Sequence, residues 1–581
     1  MTAVLAGLFT GLIWTGLQYP CSYSGGGDDY SILSQAKQLA EEKWLWSTDR
    51  LGAPFGQNML DYPSILLQNS EYLMLKFWSF WSKDPVVMVN LQFLFTFILC
   101  AAAAYLALRK LGIRSSLSFC GAMLFAFAPY IYGRGIGHYC LTACYFVPAS
   151  VYLCFLAYGR EDFLNAGTLF RNKRENLIIL LLCFLIAGNG IGYYPFFTCF
   201  LLCVTAGCRF FESRDVRKAV PALKLVLIIT VMMVLFLTPA FLFNAANGKN
   251  DITSRNLAGV ETYGLKITQF FIPMFHHNIG ILKSVIGKYN TYMPLVNENT
   301  TSYLGVIAGI GFVIQMLSFF GLKFGDREKN NVEFGAKLSL ASVLFMSVGG
   351  FISLITTVLG IASLRGFNRI SIYVMFISIA VLGFLCENML EKLKGTTGRK
   401  AFLALVFVLT AFGVWEQSPD ISTRAASLEN NGIRWVKDEI YIEKIEASLQ
   451  PGDMVFQLPY LPYPEGGDRQ ELHRYRHLNG YLHSNTLKWS FGVMKGRPGD
   501  QWYQSVAAMD GEQMVKTLIE SGFKGLYIDR SGYTDEEFLK LNGQLKKIPG
   551  MKQMVDPDKI LVFYSFYPVI EENPGLQAAK Q

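Results

Sequence analysis

Eleven stretches of mainly apolar residues run through the first 415 positions, and no other feature limits the fold so strongly. They lie at about 3–19, 86–108, 116–132, 139–158, 177–190, 192–208, 220–243, 303–322, 338–358, 370–386 and 401–415. A membrane-crossing helix needs about 20 such residues, with a range of about 17 to 25. Composition agrees: charged residues make up 17% of the 581 and aromatics 14%, against about 25% charged in soluble globular chains. The chain reads as an α-helical polytopic membrane protein of about 11 spans. Disorder, a coiled coil and a secreted disulfide scaffold are excluded.

Charge sets the orientation. Beyond residue 415 there are 19 Lys/Arg against 23 Asp/Glu, and before it 33 against 21. Threaded with its N-terminus inside, the chain puts nineteen Lys/Arg into five short inner loops, at 109–114, 160–174, 209–218, 323–337 and 392–400. The three short outer turns hold only Arg134, Arg365 and Arg369. Cytoplasmic loops carry this excess in membrane proteins. The net charge of +8 is therefore an orientation signal, and no nucleic-acid partner is called for. The same threading places three larger pieces outside: a loop over 20–85, a loop over 244–302, and the region 416–581. All six histidines then lie on or near the outer side.

Residues 1–415 are thus expected to form the membrane domain and 416–581 a small extracytoplasmic domain. In the latter, strands are predicted over 453–458, 525–529 and 560–566, with helices over 512–521 and 535–548, an α/β pattern. That domain has no cysteine, and no Cys/His spacing resembles a zinc site.

The strongest local feature is Gly25-Gly-Gly-Asp28-Asp29-Tyr30, just beyond the first apolar stretch. Glycines let a backbone approach a lipid headgroup closely, and two carboxylates follow them; a solvated acidic turn is the plain alternative. Residues 31–43 have helical spacing with one apolar side, as in a helix lying at the membrane interface. Arg365 and Arg369 are four residues apart, so they share a face if their helix begins early. With Arg134 and His138 they are candidates for binding phosphate, or they snorkel to headgroups. His276, His277 and Glu298 in the second large loop, and His473 and His477 in the tail, are candidates for touching a sugar or acceptor. Each also has a bland reading as a hydrogen-bonding or exposed side chain.

A first span followed by an acidic outer loop and an interfacial helix resembles the C-type superfamily of membrane glycosyltransferases. Further stretches are similar to one bacterial branch of it: Leu51-Gly-Ala-Pro-Phe-Gly-Gln57, Asp61-Tyr62-Pro63, Pro129-Tyr130 with Arg134 and His138, Leu458-Pro-Tyr-Leu-Pro-Tyr-Pro-Glu465, Gly480-Tyr-Leu-His-Ser484, Trp489-Ser490 and Lys495-Gly-Arg497. The resemblance implies transfer of one sugar from a polyprenyl phosphate to a glycan, lipid or protein acceptor at the outer face of the plasma or inner membrane. It implies a first-loop acid as the catalytic carboxylate. The family's usual Asp-Glu pair is here Asp28-Asp29, which leaves open which acid acts, with Asp28 favoured. The resemblance fixes no cofactor and leaves metal dependence open. If a metal takes part, Asp28 and Asp29 would hold Mg²⁺ or Mn²⁺ through oxygen. The competing reading is a transporter or flippase of a lipid-linked glycan with an accessory outer domain, and a scaffolding protein is a third. Transporters place ionisable residues at span centres and break their helices in symmetric halves. Here charge gathers at the outer ends, and the break at Gly188-Asn-Gly-Ile-Gly192 has no counterpart.

The threading is checked by labelling. In a background without the native cysteines, a cysteine at position 470 is expected to react with an impermeant thiol reagent from outside, and one at 172 is not. Reaction at 172 alone would invert the orientation.

Overall fold

The computed structural model describes residues 1–12, 16–164, 172–250, 255–274, 277–321 and 326–567. Among them seven helices are long and apolar enough to cross a membrane: Pro85–Lys110, Ser115–Arg134, Ile136–Gly159, Gly190–Ser213, Val220–Asn247, Phe367–Lys392 and Thr396–Gln417. At 1.5 Å per residue the first, with 26 residues, is about 39 Å long. Its start is fixed locally. Asp84 caps the free amides of Val86 and Val87, and Pro85 follows at the first helical position, where its missing N–H removes nothing.

The remaining four apolar stretches are shorter or broken. Lys173–Ala187 has 15 residues and Val306–Ser318 has 13. Thr2–Thr10 ends at Gly11, which takes a left-handed conformation. The stretch over 338–358, expected as one span, divides into Asp326–Met346 and Phe351–Leu359 around Gly349 and Gly350. Hydropathy adds residues along the sequence and does not register a glycine turn between two apolar runs. The Phe367–Lys392 helix is the centre of the bundle, with every residue from Ser371 to Val381 buried. Val220–Asn247 is apolar all round with few buried residues, as a lipid-facing helix must be.

The region after residue 416 opens with a long helix, Ile421–Ala447, and continues into a five-stranded sheet. In the first outer loop, β1 (Ser47–Thr48) pairs with β2 (Gln57–Asn58). The sheet then contains β3 (Met454–Leu458), β4 (Lys488–Trp489), β5 (Phe523–Asp529), β6 (Lys552–Val555) and β7 (Leu561–Ser565), in the order β4-β3-β5-β7-β6. β3 is parallel to β4 and β5, and β7 is antiparallel to β5 and β6. The strands expected at 453, 525 and 560 are β3, β5 and β7. The two expected helices are Gly511–Glu520 and Asp535–Leu545, the second held by a capping box of Thr534 and Glu537.

Two sets of contacts join the first outer loop to this sheet. Residues 50–53 run beside β4: the Trp489 amide donates to Arg50, while Gly52 and Ala53 donate to Phe491 and Trp489. The loop thereby covers a sheet edge that would otherwise be open. The second set is buried. Arg476 makes a two-pronged pair with Asp438 at 2.8 and 2.9 Å and donates to Tyr30 Oη at 2.6 Å. Tyr23 Oη reaches Asp438, Asn479 and His483, and its ring stacks on Tyr30. Gly26 lies against this network with φ +125°, and a Cβ there would meet the Arg476 backbone at 2.7 Å, so the site requires glycine. The helix after the glycines is therefore clamped between the bundle and the tail rather than lying open at an interface; even Lys37 is buried, donating to the carbonyls of Tyr481, Leu482 and Ser484.

Replacing Arg476 with Met would leave Asp438 buried without its cation. Loss of one partner of a buried pair typically costs about 3–5 kcal/mol. The variant is expected to unfold at markedly lower temperature or denaturant concentration than the wild type in detergent, and an unchanged midpoint would remove the network from any role in joining loop and tail.

Candidate active site

The Asp28–Glu41 helix carries the first acidic residue at its start, with Gly27 as its N-cap. Unpaired amides and the helix dipole favour anions in this first turn. Successive helical residues point about 100° apart, and that rotation separates the two acids. Asp29 turns inward and is 1% exposed. Its oxygens accept from Ser22 Oγ, the Ser24 amide, Ser24 Oγ and the Tyr30 amide at 2.6–3.2 Å, so it holds the glycine turn in shape. Asp28 turns the other way, into a cavity of about 380 Å³, and makes no hydrogen bond or ion pair among the described residues. Ser31, Ile32 and Gln35, on the same helical face, line that cavity with it.

The remaining walls come from distant parts of the chain. Tyr62, Ile65, Gln68 and Tyr72 come from the first loop, and Gly137 to Leu141 from the turn after Arg134. Ile191, Tyr193, Arg255, Tyr263, Glu298, Arg365 and Arg369 follow, and Tyr463, Pro464, Glu465, Arg474 and Tyr475 come from the tail. Asp28, Arg365, Arg369, His138 and Glu298, all singled out from the sequence, therefore meet around one space.

Glu298 is the electrostatic centre of the cationic wall. It pairs with Arg134 at 2.7 Å and Arg369 at 3.1 Å, accepts from Asn368 Nδ2 at 3.1 Å, and lies 3.6 Å from His138 Nε2. Burial works to raise this carboxyl, but Arg134, Arg369 and His138 outweigh it and hold it well below the usual carboxylate range. Arg134 is 2% exposed and does not line the cavity. It supports Glu298 and Asn368 from behind. Arg369 stacks over Tyr193, its guanidinium carbon 4.2 Å from the ring centroid. Arg365 sits over Tyr263 at 4.8 Å and forms no ion pair among the described residues. Across the cavity Glu465 is tied to Arg255 and Tyr62 at 2.6 Å each. Among the described residues, Asp28 and Arg365 are thus charged groups of the cavity in no ion pair, with Arg474 acting on Asp28 and Glu465 facing Arg365 at longer range. Burial raises the Asp28 carboxyl above its ordinary value; Arg474 opposes the rise, while Asp29, Glu465 and Glu298 add to it.

The other histidines are elsewhere. His277 is buried and pairs with Glu416 at 2.8 Å. His477 is buried in the tail, bonded to the Pro459 carbonyl at 2.8 Å, and His473 is exposed beside Asp468. None of the three lines the cavity, and His276 lies outside the described residues. Nor do Asp28 and Asp29 make a metal cage: they face different ways, and among the described residues no group of three His, Cys, Asp or Glu side chains is gathered to hold an ion. The sequence reading missed Arg255, Tyr193 and Tyr263. Tyr62 and Glu465, which bond each other, lie within stretches it quoted, as do Asp61 and Arg497, which form a two-pronged pair.

A family profile described as a domain of unknown function (DUF6311) matches residues 40–365, more than half of the chain. The chain belongs to the DUF6311 family. No curated protein matches it in sequence. Among solved structures, the DUF6311 chain is similar to the arabinofuranosyltransferase AftD from Mycobacteria (TM-score 0.50, 14% identity), covering 97% of this chain and 39% of that one. It is also similar to ArnT from Cupriavidus metallidurans bound to undecaprenyl phosphate (TM-score 0.50, 10% identity), covering 97% and 96%. The chain spans about two fifths of the length of AftD. These likenesses establish the fold: the DUF6311 chain shares its overall architecture with AftD and ArnT, and among its described residues seven helices are long and apolar enough to cross a membrane.

Glu298→Gln removes the anion that two buried guanidiniums share. At pH 7 it is expected to destabilise the protein by about 3–5 kcal/mol, read by unfolding in detergent. Because the folded carboxyl is held below its unfolded value, that contribution is present above about pH 4.3 and fades as pH falls further. The gap between variant and wild type should close on acidification, and a constant gap would assign the loss to shape instead of charge.

Proposed function

We propose that this chain transfers a single sugar from a polyprenyl phosphate to an acceptor hydroxyl at the outer membrane face, with Asp28 as general base. The observation that carries the reading is that a carboxylate without a hydrogen bond, Asp28, and a guanidinium in no ion pair among the described residues, Arg365, line one cavity. The likeness in fold to a structure holding undecaprenyl phosphate supports the donor class. The acceptor oxygen attacks the anomeric carbon and passes its proton to Asp28, as the bond from that carbon to the phosphate oxygen breaks. The phosphate leaves on its lipid, its charge taken up by Arg365 and Arg369. Positioned acid–base groups of this kind contribute about 10² to 10⁴ in rate, and fixed cations act where the leaving charge develops. Arg369 is held between Glu298 and Tyr193 and presents a set geometry, whereas Arg365 is free to close on the phosphate. Glu465 and Tyr475, with Tyr62 of the first loop bonded to Glu465, give the tail a share in the acceptor side, in keeping with a reading in which the region after residue 416 lies on the extracytoplasmic face.

Asp28→Asn is expected to abolish transfer while the purified protein still binds undecaprenyl phosphate, and Arg365→Ala to weaken that binding. In the wild type the base works deprotonated, so kcat/KM should fall as pH drops through the raised value of Asp28, with an acid limb above that of an ordinary carboxylate near 3.9. Full activity of the Asn variant would reject the assignment.

A further inference from the structure

Behind the cavity wall lies a carboxyl for which the transfer chemistry has no use. Glu71, in the helix Asn69–Trp78, is 0% exposed. Its Oε1 accepts from the Gly190 amide at 2.8 Å and from Asn189 Nδ2 at 2.9 Å, and Ser70 Oγ lies 2.8 Å from its Oε2. Ser70 also donates its amide to Gly188 at 3.1 Å, and Asn189 Nδ2 reaches the Ala143 carbonyl at 3.1 Å. The break at 188–192 is thereby pinned at three successive residues.

The pinned segment is strained. Gly190, Ile191 and Gly192 have φ of 65°, 54° and 81°, and a β-branched residue rarely occupies that region unless its surroundings hold it there. Gly190 has no alternative, since a Cβ would meet the Tyr194 ring at 2.3 Å. The strain has a product. Ile191 lines the cavity, and Tyr193 follows at the head of its helix. Tyr193 Oη accepts from the amides of Arg365 and Gly366 at 3.4 Å each, and its ring lies 4.2 Å from the Arg369 guanidinium.

We infer that Glu71 is a positioning residue for the lipid-phosphate site: by holding the 188–192 turn in its strained shape it fixes Tyr193, and through Tyr193 it sets Arg365 and Arg369. The inference rests on the donor reading above and extends it to a residue that does not touch the cavity. Burial pushes the Glu71 carboxyl up to about 8, so it is protonated at neutral pH, and Gln is a close mimic of its shape and acceptor.

Undecaprenyl phosphate binding to the purified full-length protein tests this. Glu71→Ala is expected to weaken binding at least about tenfold, the scale of a misplaced positioning group, and Glu71→Gln to restore it to within about threefold. Glu71→Leu fills the space without the acceptor: it is expected to bind as poorly as Glu71→Ala, whereas a packing defect would be rescued by Leu and Gln alike. If Glu71→Ala is not recovered as a monodisperse protein, Asn189→Ala loosens the same turn and is expected to weaken binding by at least about threefold. Wild-type affinity in the recovered variant, or equal loss in Ala and Gln, overturns the inference. Failure of the wild type to bind, or tight binding by Arg365→Ala, would instead reject the donor reading itself.

Discussion

A guanidinium buried at the edge of a bilayer needs an anion, and Glu298 supplies one to two of them. Arg134 and Arg369 come from helices far apart in the sequence and meet at this carboxylate, with Asn368 accepting from Arg134 and donating to Glu298. Desolvated charges of this kind are tolerated only when paired. Glu298 is committed to Arg134 and Arg369, and Arg365 lies over the Tyr263 ring, in no ion pair among the described residues. Opposite, Asp29 absorbs the hydrogen bonds of the glycine turn and leaves Asp28 with none. In both walls a fully bonded neighbour carries the structural load, and that is what allows its partner to stay available.

Much of this was legible from residues. The apolar stretches gave the helical bundle because lipid solvation acts on each residue nearly independently. The tail's three main strands were visible in their β-branched and aromatic runs, while β4, with two residues, is too short to leave a pattern. Asp28, Arg365 and Arg369 could be found because charge at the outer end of an apolar stretch is costly without a reason. Which of Asp28 and Asp29 faces the cavity became readable only once the helix was seen to begin at Asp28. Then Asp28, Ser31, Ile32 and Gln35 follow the spacing of one helical face.

What escaped was chemistry that depends on long-range pairing. His277 and His477 look like ligands in sequence, but a buried Glu416 and a carbonyl claim them, and no local pattern announces either partner. Arg255 finds Glu465 across 210 positions. The glycines of 188–192 marked a break, yet their purpose rests on Glu71, more than a hundred residues earlier.

The contacts between the glycine turn and the tail have a temporal meaning. Tyr23 meets Asn479 over a separation of 456 residues, and Gly26 accepts from the Tyr475 amide. During synthesis the acid that follows this turn is made early, and its seat arrives only when the last region has been made and folded. An unfinished chain therefore carries this turn unmoored, and the cavity is completed as a single late event in assembly.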